Sequence, residues 1–370
     1  MHTILTNFQM IKPPHEKKQA VLNKWLTDCH LRAEQARTGS AERISSLFSR
    51  YTVKESQISK RSFECADILE DEVWQTNKIY RVTSDTPSGV SISERNQFFA
   101  ERALSVMHDF YSFDSKIPDH LIHVTCTGYV APNAAQLVVA EKKWSTQITN
   151  AYHMGCYAAL PAIRIANALV KSSEFENYKV DVIHNEMCGL HLNPLDHSPE
   201  QIVVQSLFAD GHIKYSVLKD DSKPACGLRL LAIREMLIPE SANDMSWQPN
   251  AWGMKMTLSR EVPSKIQRCL LPFLQTLWPE RTADLLKSAR FAIHPGGPKI
   301  IESVQTTLEI RDDQCAESKK ILFERGNMSS ATLPHIWQEI LAGSQPSGQK
   351  VVSLAFGPGL TLFGAVFEVV

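Results

Sequence analysis

The sequence lacks an excess of charge of either sign. Its 39 basic side chains are matched by 40 acidic ones, so the 370-residue chain carries a formal net charge of −1 at pH 7. Without a field of one sign, we expect no long-range attraction to nucleic acid or to an anionic membrane surface. Hydrophobic residues make up 43% and charged residues 21% of the chain, which is typical of an ordinary globular protein.

The sequence also lacks paired cysteines and a secretory leader. No apolar segment follows a basic start at the N-terminus, so we expect a cytoplasmic protein. None of the eight cysteines belongs to a CxxC pair, which favours reduced thiols. Cys188-x-x-His191 and His120-x-x-His123 have the spacing of half a zinc site, but no second pair accompanies either, and we predict no metal.

An uninterrupted membrane-length apolar run is missing as well. The stretch 351–370 carries a single charge, Glu368, over twenty residues, which is long enough to cross a bilayer. However, Gly357-Pro358-Gly359 divides it into two short segments rich in β-branched and aromatic residues. The pattern therefore predicts two buried strands joined by a turn.

The pattern of predicted elements mixes strands and helices throughout, with no repeat of 20–50 residues. This mixture favours a layered α/β architecture. A chain of this length is typical of two domains or of two fused, similar halves. A polar break near 221–227 divides it, and we predict an N-terminal half over 1–222 and a C-terminal half over 223–370.

Cys156 is the first candidate for chemistry. It follows Met154-Gly155 and precedes a run of small apolar residues that predicts a buried helix beginning near Tyr157. A thiol at a helix N-terminus lies beside unpaired N–H groups that favour the thiolate, the nucleophilic form. The alternative is a packed core cysteine, because free cysteine is among the most buried residue types.

A nucleophilic cysteine needs a base, and two later segments offer partners. His294 ends a short apolar run before Gly296 and Gly297, whose missing side chains would admit a ligand close to the backbone. Asn327 lies in a small polar turn, where asparagine is commonly a turn former. Cysteine, histidine and asparagine form a known nucleophilic set, and their order alone also fits a papain-like protease.

Four short motifs together resemble the type III polyketide synthases, the family of chalcone synthase. They are MGCYAA around Cys156, HPGGP at 294–298, GNMSSA at 326–331 and FGPGLT at 356–361. The separations agree too, with 138 residues from Cys156 to His294 and 33 from His294 to Asn327. HPGGP and GPGLT are not features of papain-like proteases, so the resemblance to the polyketide synthases replaces that alternative.

The resemblance implies a homodimer with the thiolase fold, in which each subunit has five layers, α/β/α/β/α, built from two similar halves. It implies that Cys156 carries the growing chain as a thioester. His294 would polarise Cys156 and, with Asn327, would hold the thioester oxygen of malonyl-CoA. Acyl-CoA and malonyl-CoA are then substrates, an acyl carrier protein is an alternative acyl donor, and no metal or redox cofactor is needed.

The family also implies residues around the substrate. Phe208 matches a gatekeeper phenylalanine between the CoA tunnel and the cavity, and Met256 falls at the second gatekeeper. Trp247 either projects into the cavity or covers the core. The other predicted cavity residues are Cys126, Cys188, His191 and Ser329. Basic side chains and glycines are predicted to contact CoA, namely Lys54, Lys60, Arg61, Gly296 and Gly297.

Departures from the plant pattern narrow the expected substrate. Ala131 stands where plant members present a methionine, His212 stands where small residues are usual, and Met256 replaces a phenylalanine. Met256, Cys126 and the stretches EMCGLH and DMSW resemble bacterial members that extend fatty acyl-CoA to alkylpyrones or alkylresorcinols. The alternatives are a ketoacyl synthase III-type enzyme that performs one condensation, and a thiolase-fold binding protein without turnover.

Overall fold

A computed structural model describes residues 2–35, 41–69, 74, 76–112, 116–220, 226–343 and 345–370. Thirteen strands are formed within these ranges. They are β1 Thr3–Ile11, β2 His15–Lys18, β3 Lys60–Phe63, β4 His120–Thr125, β5 Gln147–Tyr152, β6 Val180–Met187, β7 Asp210–Lys219, β8 Leu228–Leu237, β9 Met245–Pro249, β10 Met254–Leu258, β11 Arg290–Ile293, β12 Lys350–Gly357 and β13 Thr361–Val369.

Eleven α-helices connect these strands within the same described ranges. They are α1 Gln19–Gln35, α2 Ala41–Tyr51, α3 Ile92–Phe110, α4 Ala134–Glu141, α5 Ala159–Ser172, α6 Pro199–Leu207, α7 Val262–Leu277, α8 Thr282–Ser288, α9 Pro298–Leu308, α10 Ala316–Arg325 and α11 Thr332–Ala342. The predicted helix after Cys156 is confirmed as α5, and Pro161 lies in its first turn, where a missing N–H is tolerated.

Two half-sheets with the same strand pattern form the frame of the molecule. One has the order β5-β4-β6-β7-β1 and the other β11-β12-β13-β8. They join where β1 pairs with β8 over two residue pairs, Ile4 with Arg229 and Leu5 with Leu228. In both, a parallel pair (β4–β6, β11–β12) is followed by two antiparallel pairs. The boundary predicted at 222/223 falls in 221–225, outside the described residues, and stays a prediction.

Three apolar cores separate the layers. Helices α5 and α11 contribute Ile163 and Trp337 to one core. The same core contains strand residues from both half-sheets, including Val182 and Phe363. A second core lies under α1–α4 on the outer face of the first half-sheet. A third lies under α7–α9 on the outer face of the other. Helix and sheet layers therefore alternate, and the predicted α/β/α/β/α arrangement is confirmed.

Two sequence predictions differ from the structure for reasons of long-range pairing. The sequence pattern predicts a helix over 133–149, but the structure has the short helix α4 followed by β5, because Gln147–Tyr152 pairs in parallel with β4. The apolar spacing also predicts a helix over 15–37, but this segment begins as β2, which pairs with β3. The prediction for 351–370 is confirmed, since β12 and β13 form a buried hairpin. Among the described residues no helix is long and apolar enough to cross a membrane.

Gly357, at the end of β12, provides a test of how closely the C-terminal turn packs beside Cys156. A Cβ atom at Gly357 would lie 1.9 Å from the ring atom Cδ1 of Tyr157. We expect Gly357→Ala to lower the free energy of unfolding in urea by about 1–3 kcal/mol, the usual cost of overpacking. Gly343→Ala is the matched control, because the nearest atom to its Cβ would be the flexible Gln345 amide nitrogen at 3.2 Å, and the Ile340 carbonyl at 3.4 Å would be in ordinary contact. Equal unfolding curves for the two variants would contradict this packing.

Candidate active site

Three cysteines meet at one edge of the first half-sheet. Strands β4, β5 and β6 are parallel, so their carboxyl ends lie at the same edge. Cys126 and Cys188 directly follow β4 and β6, and Cys156 follows β5 after a three-residue segment. All three side chains are buried, and none forms a disulfide. Topology therefore brings together thiols that are about thirty residues apart in sequence.

These thiols line a small internal cavity of about 20 Å³, close to the space that one water molecule needs. Its walls are almost entirely apolar. The lining residues are Cys126, Gly155, Cys156, Cys188, Phe208, Met245, Ser246, Trp247, Met256, Ser329 and Pro358. The structure therefore places six of the seven predicted cavity residues in this wall, together with Cys156.

The predicted cavity residue His191 lies behind the wall, and this corrects its assignment. One ring nitrogen, Nε2, is 2.9 Å from the carbonyl of Thr127, and the other, Nδ1, accepts the N–H of Met254 at 3.1 Å. The ring also packs edge-on against Trp247, with centroids 5.7 Å apart. Because both nitrogens are occupied, His191 supports Trp247 instead of facing the cavity.

Ser329 connects two of the thiols. Its hydroxyl lies 3.0 Å from Sγ of Cys126 and 3.8 Å from Sγ of Cys156. Its backbone has φ +50°, a left-handed conformation that is uncommon outside glycine. The backbone N–H of Ser329 donates to Oδ1 of Asn327 at 2.9 Å. The turn therefore fixes Ser329 and Asn327 together beside the nucleophile candidate.

Backbone hydrogen bonds hold Asn327 against the segment that carries Phe208. The Asn327 N–H donates to the carbonyl of Leu207 at 3.0 Å, and the N–H of Ala209 donates to the carbonyl of Asn327 at 2.8 Å. Since Oδ1 accepts from Ser329, the amide N–H groups remain as the donors of this side chain. Asn327 is near enough to Cys156 to act as a hydrogen-bond partner that lowers the pKa of the thiol.

The side chain of His294 is buried, and its ring forms no hydrogen bond among the described residues. His294 follows β11, and its backbone N–H donates to the carbonyl of Leu354 at 2.8 Å. Neither ring nitrogen has a hydrogen-bond partner among the described residues. Burial lowers the pKa of His294 to about 3, so the imidazole is neutral. A buried polar ring without partners is unusual and is consistent with a group kept for a ligand.

The expectation of a thiolate at Cys156 is not met in this structure. Burial raises the pKa of Cys156 to about 12, and the negative charge of Glu186 acts in the same direction. Hydrogen bonds from Ser329 and Asn327 lower the pKa but do not compensate for the burial. No hydrogen bond joins Cys156 to His294 in the described part of the chain. Burial in this structure therefore favours the neutral thiol.

Glu186 is a site residue that the sequence reasoning missed. It is fully buried at the end of β6. Its carboxyl accepts the N–H of Cys126 at 3.1 Å and the hydroxyl of Thr127 at 2.8 Å, and it also bonds to the Ser330 hydroxyl. Burial raises the pKa of Glu186. The signal that could have found it is an acidic residue inside an otherwise buried strand.

The residues predicted to contact CoA do not share one environment. Lys54 is exposed and donates to the Ser49 carbonyl, and Lys60 forms a partly exposed ion pair with Glu16 at 3.2 Å. Gly296 and Gly297 are partly exposed where α9 begins, and Gly297 has φ +151°, which favours glycine. These four positions remain open to solvent.

The structure differs from the prediction that Arg61 contacts CoA. Its side chain is only 2% exposed, and the guanidinium donates to Gln19 Oε1 at 2.8 Å. It also donates to the carbonyls of Gln205 at 3.0 Å and Phe208 at 2.7 Å. All of these partners are internal, so Arg61 supports the Phe208 segment from behind instead of meeting a phosphate.

Comparison with known proteins agrees with this architecture. Residues 229–370 match the family model described as chalcone and stilbene synthases, C-terminal domain. The C-terminal type III polyketide synthase domain of Steely1, a type I/III hybrid from Dictyostelium, superposes with a TM-score of 0.84 at 21% identity, covering 100% of this chain and 99% of that one. The chain therefore has the thiolase-like fold of these enzymes.

Curated relatives found by sequence comparison are named as synthases of the same kind. A putative chalcone synthase of Bacillus subtilis is 26% identical over 74% of this chain and 80% of its own length. The 1,3,6,8-tetrahydroxynaphthalene synthase of Streptomyces coelicolor is 25% identical, covering 80% of each. Probable polyketide synthase 1 of Dictyostelium discoideum is 28% identical over 67% of this chain but only 8% of its own length. This chain is a relative of the type III polyketide synthases. With them it falls in the acyltransferase class of enzymes.

The raised pKa of Cys156 predicts how the rate of its alkylation depends on pH in this relative of the polyketide synthases. We expect alkylation of Cys156 by iodoacetamide to rise steadily from pH 7 to pH 10 without a plateau, because the thiolate fraction grows until the pH reaches the raised pKa. Mass spectrometry of peptides containing Cys156 measures the rate, and Cys156→Ser is the control for peptide assignment. A plateau below pH 8 would show that the thiol is already ionised and would contradict the neutral assignment.

Proposed function

We propose that the chain is a type III polyketide synthase that condenses an acyl-CoA starter with malonyl-CoA. The observation that carries the proposal is Cys156 held beside the Asn327 amide at a cavity of this fold. The buried ring of His294, which has no hydrogen-bond partner among the described residues, is the proposed third member. The turn at 296–297 contacts the same segment as Asn327, because a Cβ at Gly297 would lie 3.9 Å from Leu207, whose carbonyl holds Asn327.

In the first step Cys156 takes the starter acyl group. The sulfur attacks the thioester carbonyl, the thiol proton passes to the neutral imidazole of His294, and the departing CoA thiolate recovers that proton. Burial keeps the His294 imidazole neutral, so one ring nitrogen carries no proton and can accept one. The acyl group then remains on Cys156 as a thioester.

In the second step malonyl-CoA loses carbon dioxide. The bond between the carboxylate carbon and the α-carbon breaks, and its electron pair forms an enolate on the thioester oxygen. An N–H of His294 and the amide of Asn327 stabilise this oxyanion, and two such donors in a dry site typically contribute several kcal/mol. The enolate carbon attacks the carbonyl carbon of the Cys156 thioester, the carbon–sulfur bond breaks, and the Cys156 thiolate leaves. The lengthened chain is then a thioester of CoA, and in the next cycle the Cys156 thiolate attacks that thioester and expels CoA.

The starter we propose is a medium- or long-chain fatty acyl-CoA, and the products are alkylpyrones or alkylresorcinols. The supporting observations are the apolar cavity wall and the two methionines in it, Met245 and Met256, whose flexible side chains adapt to a ligand. A cavity of about 20 Å³ does not hold such a chain, so the strands β9 and β10 that roof it must shift when substrate binds.

We also propose that two copies assemble and that no metal or redox cofactor takes part. Strand β5 ends its half-sheet and leaves one side unpaired among the described residues, which is a surface that a second copy can cover. CoA serves as the leaving group and carrier, and an acyl carrier protein is an alternative donor. Light scattering during size-exclusion chromatography tests the assembly, and a monomer at micromolar concentration would reject it.

The reaction is tested by incubating the purified protein with lauroyl-CoA and malonyl-CoA and identifying products by mass spectrometry. We expect a pyrone or resorcinol with two or three added units. Cys156→Ala should abolish product, and His294→Gln or Asn327→Ala should lower the rate by about 10²–10⁴-fold, as for lost acid–base or oxyanion groups. Cys226→Ala, at an exposed cysteine, is the control.

The outcomes separate the alternatives. A single added unit would favour a ketoacyl synthase III-type enzyme. Absence of any product across a panel of starters, with the chain folded, would reject the proposal and favour a binding protein.

Trp247 provides a test of chain-length control. Its ring occupies the cavity wall, and its N–H donates to the Cys126 carbonyl at 2.7 Å. We expect Trp247→Ala to enlarge the cavity and to shift the preferred acyl-CoA toward longer chains, measured as relative kcat/KM across starters of six to sixteen carbons. Trp252→Ala is the matched control, because Trp252 lies in the loop between β9 and β10 but is not among the residues that line the cavity. An unchanged preference would contradict this role.

A further inference from the structure

A basic cleft lies at the end of the first half-sheet opposite to Cys156. It has a volume of about 270 Å³ and is lined by Lys116, Lys179, Lys214 and Lys219, with Glu176 as the one acidic lining residue among those described. Val180 begins β6 near the cleft and Met187 ends β6 near the cavity, so about 23 Å of strand separates the two. The cleft is therefore distinct from the candidate active site.

The floor of the cleft is a polar patch on the outer face of β7. On β7, Ile213, Tyr215 and Val217 point into the core between the half-sheets. Lys214 and Ser216 alternate with them and therefore face the opposite, outer side, where they form part of the cleft. Elsewhere this outer face is covered by an apolar core, so the polar floor is a local feature of the fold.

Lys214 is the residue that makes the cleft unusual. Its side chain is only 3% exposed, its ammonium group donates to the Phe110 carbonyl at 2.8 Å, and it lies 4.3 Å from the centre of the Tyr111 ring. These contacts use one of three N–H donors. Burial lowers the pKa of Lys214 to about 8, which means that the cation is incompletely stabilised by the chain itself.

The buried carboxylate near the cleft, Asp181, already has several hydrogen-bond donors. Asp181, fully buried under the cleft, accepts the hydroxyls of Tyr111 at 2.9 Å and Ser216 at 2.7 Å. It also forms an ion pair with Lys179 at 3.2 Å. One buried carboxylate thus serves several donors, and the described lining residues keep an excess of positive charge. An anion with several oxygen atoms would accept hydrogen bonds from the lysine ammonium groups and would reduce the repulsion between them.

We propose that this cleft is a binding site for a small polyphosphate anion, either free or carried on a nucleoside. Its concave shape and the four lysine side chains in its lining suit a multiply charged ligand better than a single carboxylate. Lys116, exposed at the rim, donates to the Asn177 carbonyl at 3.3 Å and can turn toward a ligand. The site is independent of the condensation chemistry proposed above.

Isothermal titration calorimetry with inorganic pyrophosphate at constant ionic strength tests the proposal on the full chain. We expect saturable binding at one site per chain, weakened about tenfold or more by Lys214→Met and about threefold by Lys116→Gln, because each removes one charge near the anion. Lys287→Gln, at an exposed lysine on α8 in the other half, should bind like the unchanged chain. Lys116→Gln keeps the test valid if Lys214→Met fails to fold.

Titration with a nucleoside triphosphate is the second arm. Tighter binding than pyrophosphate, with the same loss in both variants, assigns a nucleoside-linked ligand. Equal or weaker binding assigns the free anion. Absence of saturable binding of either probe, or equal affinity of the Lys116, Lys214 and Lys287 variants, would overturn the proposal.

Discussion

The candidate site depends on a two-hydrogen-bond connection between the halves of the chain. Asn327 belongs to the C-terminal half, and its backbone is bonded on one side to Leu207 and on the other to Ala209. This short bridge places the Asn327 amide, and with it Ser329, beside the thiols that end the parallel strands β4, β5 and β6. Arg61 strengthens the bridge from behind by binding the Phe208 carbonyl. Without it the nucleophile and its hydrogen-bond donors would lie on separate units.

Burial then determines the charge state of the site. It raises the pKa values of Cys156 and Glu186 and lowers that of His294, so burial disfavours the charged form of each group. In the proposed reaction, a neutral thiol and a neutral imidazole would exchange a proton transiently instead of forming a permanent ion pair. The same dry environment strengthens any hydrogen bond to an enolate oxygen, because competing water is excluded. In the proposed reaction, nucleophile activation and oxyanion stabilisation would therefore draw on a single property, the exclusion of water.

The roof of the cavity connects specificity to the fold. Strands β9 and β10 supply Met245, Trp247 and Met256 to the wall. His191 bonds the roof through Met254, and Gln201 of α6 donates to the Met256 carbonyl at 2.6 Å. The roof is thus tied to the elements that carry Cys188 and Phe208. A change in starter size would have to be accommodated by these ties as well as by the wall residues.

The sequence by itself determined the layered α/β class, the helix after Cys156, the buried C-terminal hairpin and the motifs around Cys156, His294 and Asn327. These follow from local periodicity, turn residues and short spacing, all of which are written along the chain. Only the tertiary structure decided that Cys126, Cys156 and Cys188 share one cavity, that Arg61 and His191 face inward to protein partners, and that Cys156 is neutral. Those properties depend on which distant strands become neighbours and on how much water their packing removes, and neither is encoded in any single stretch of sequence.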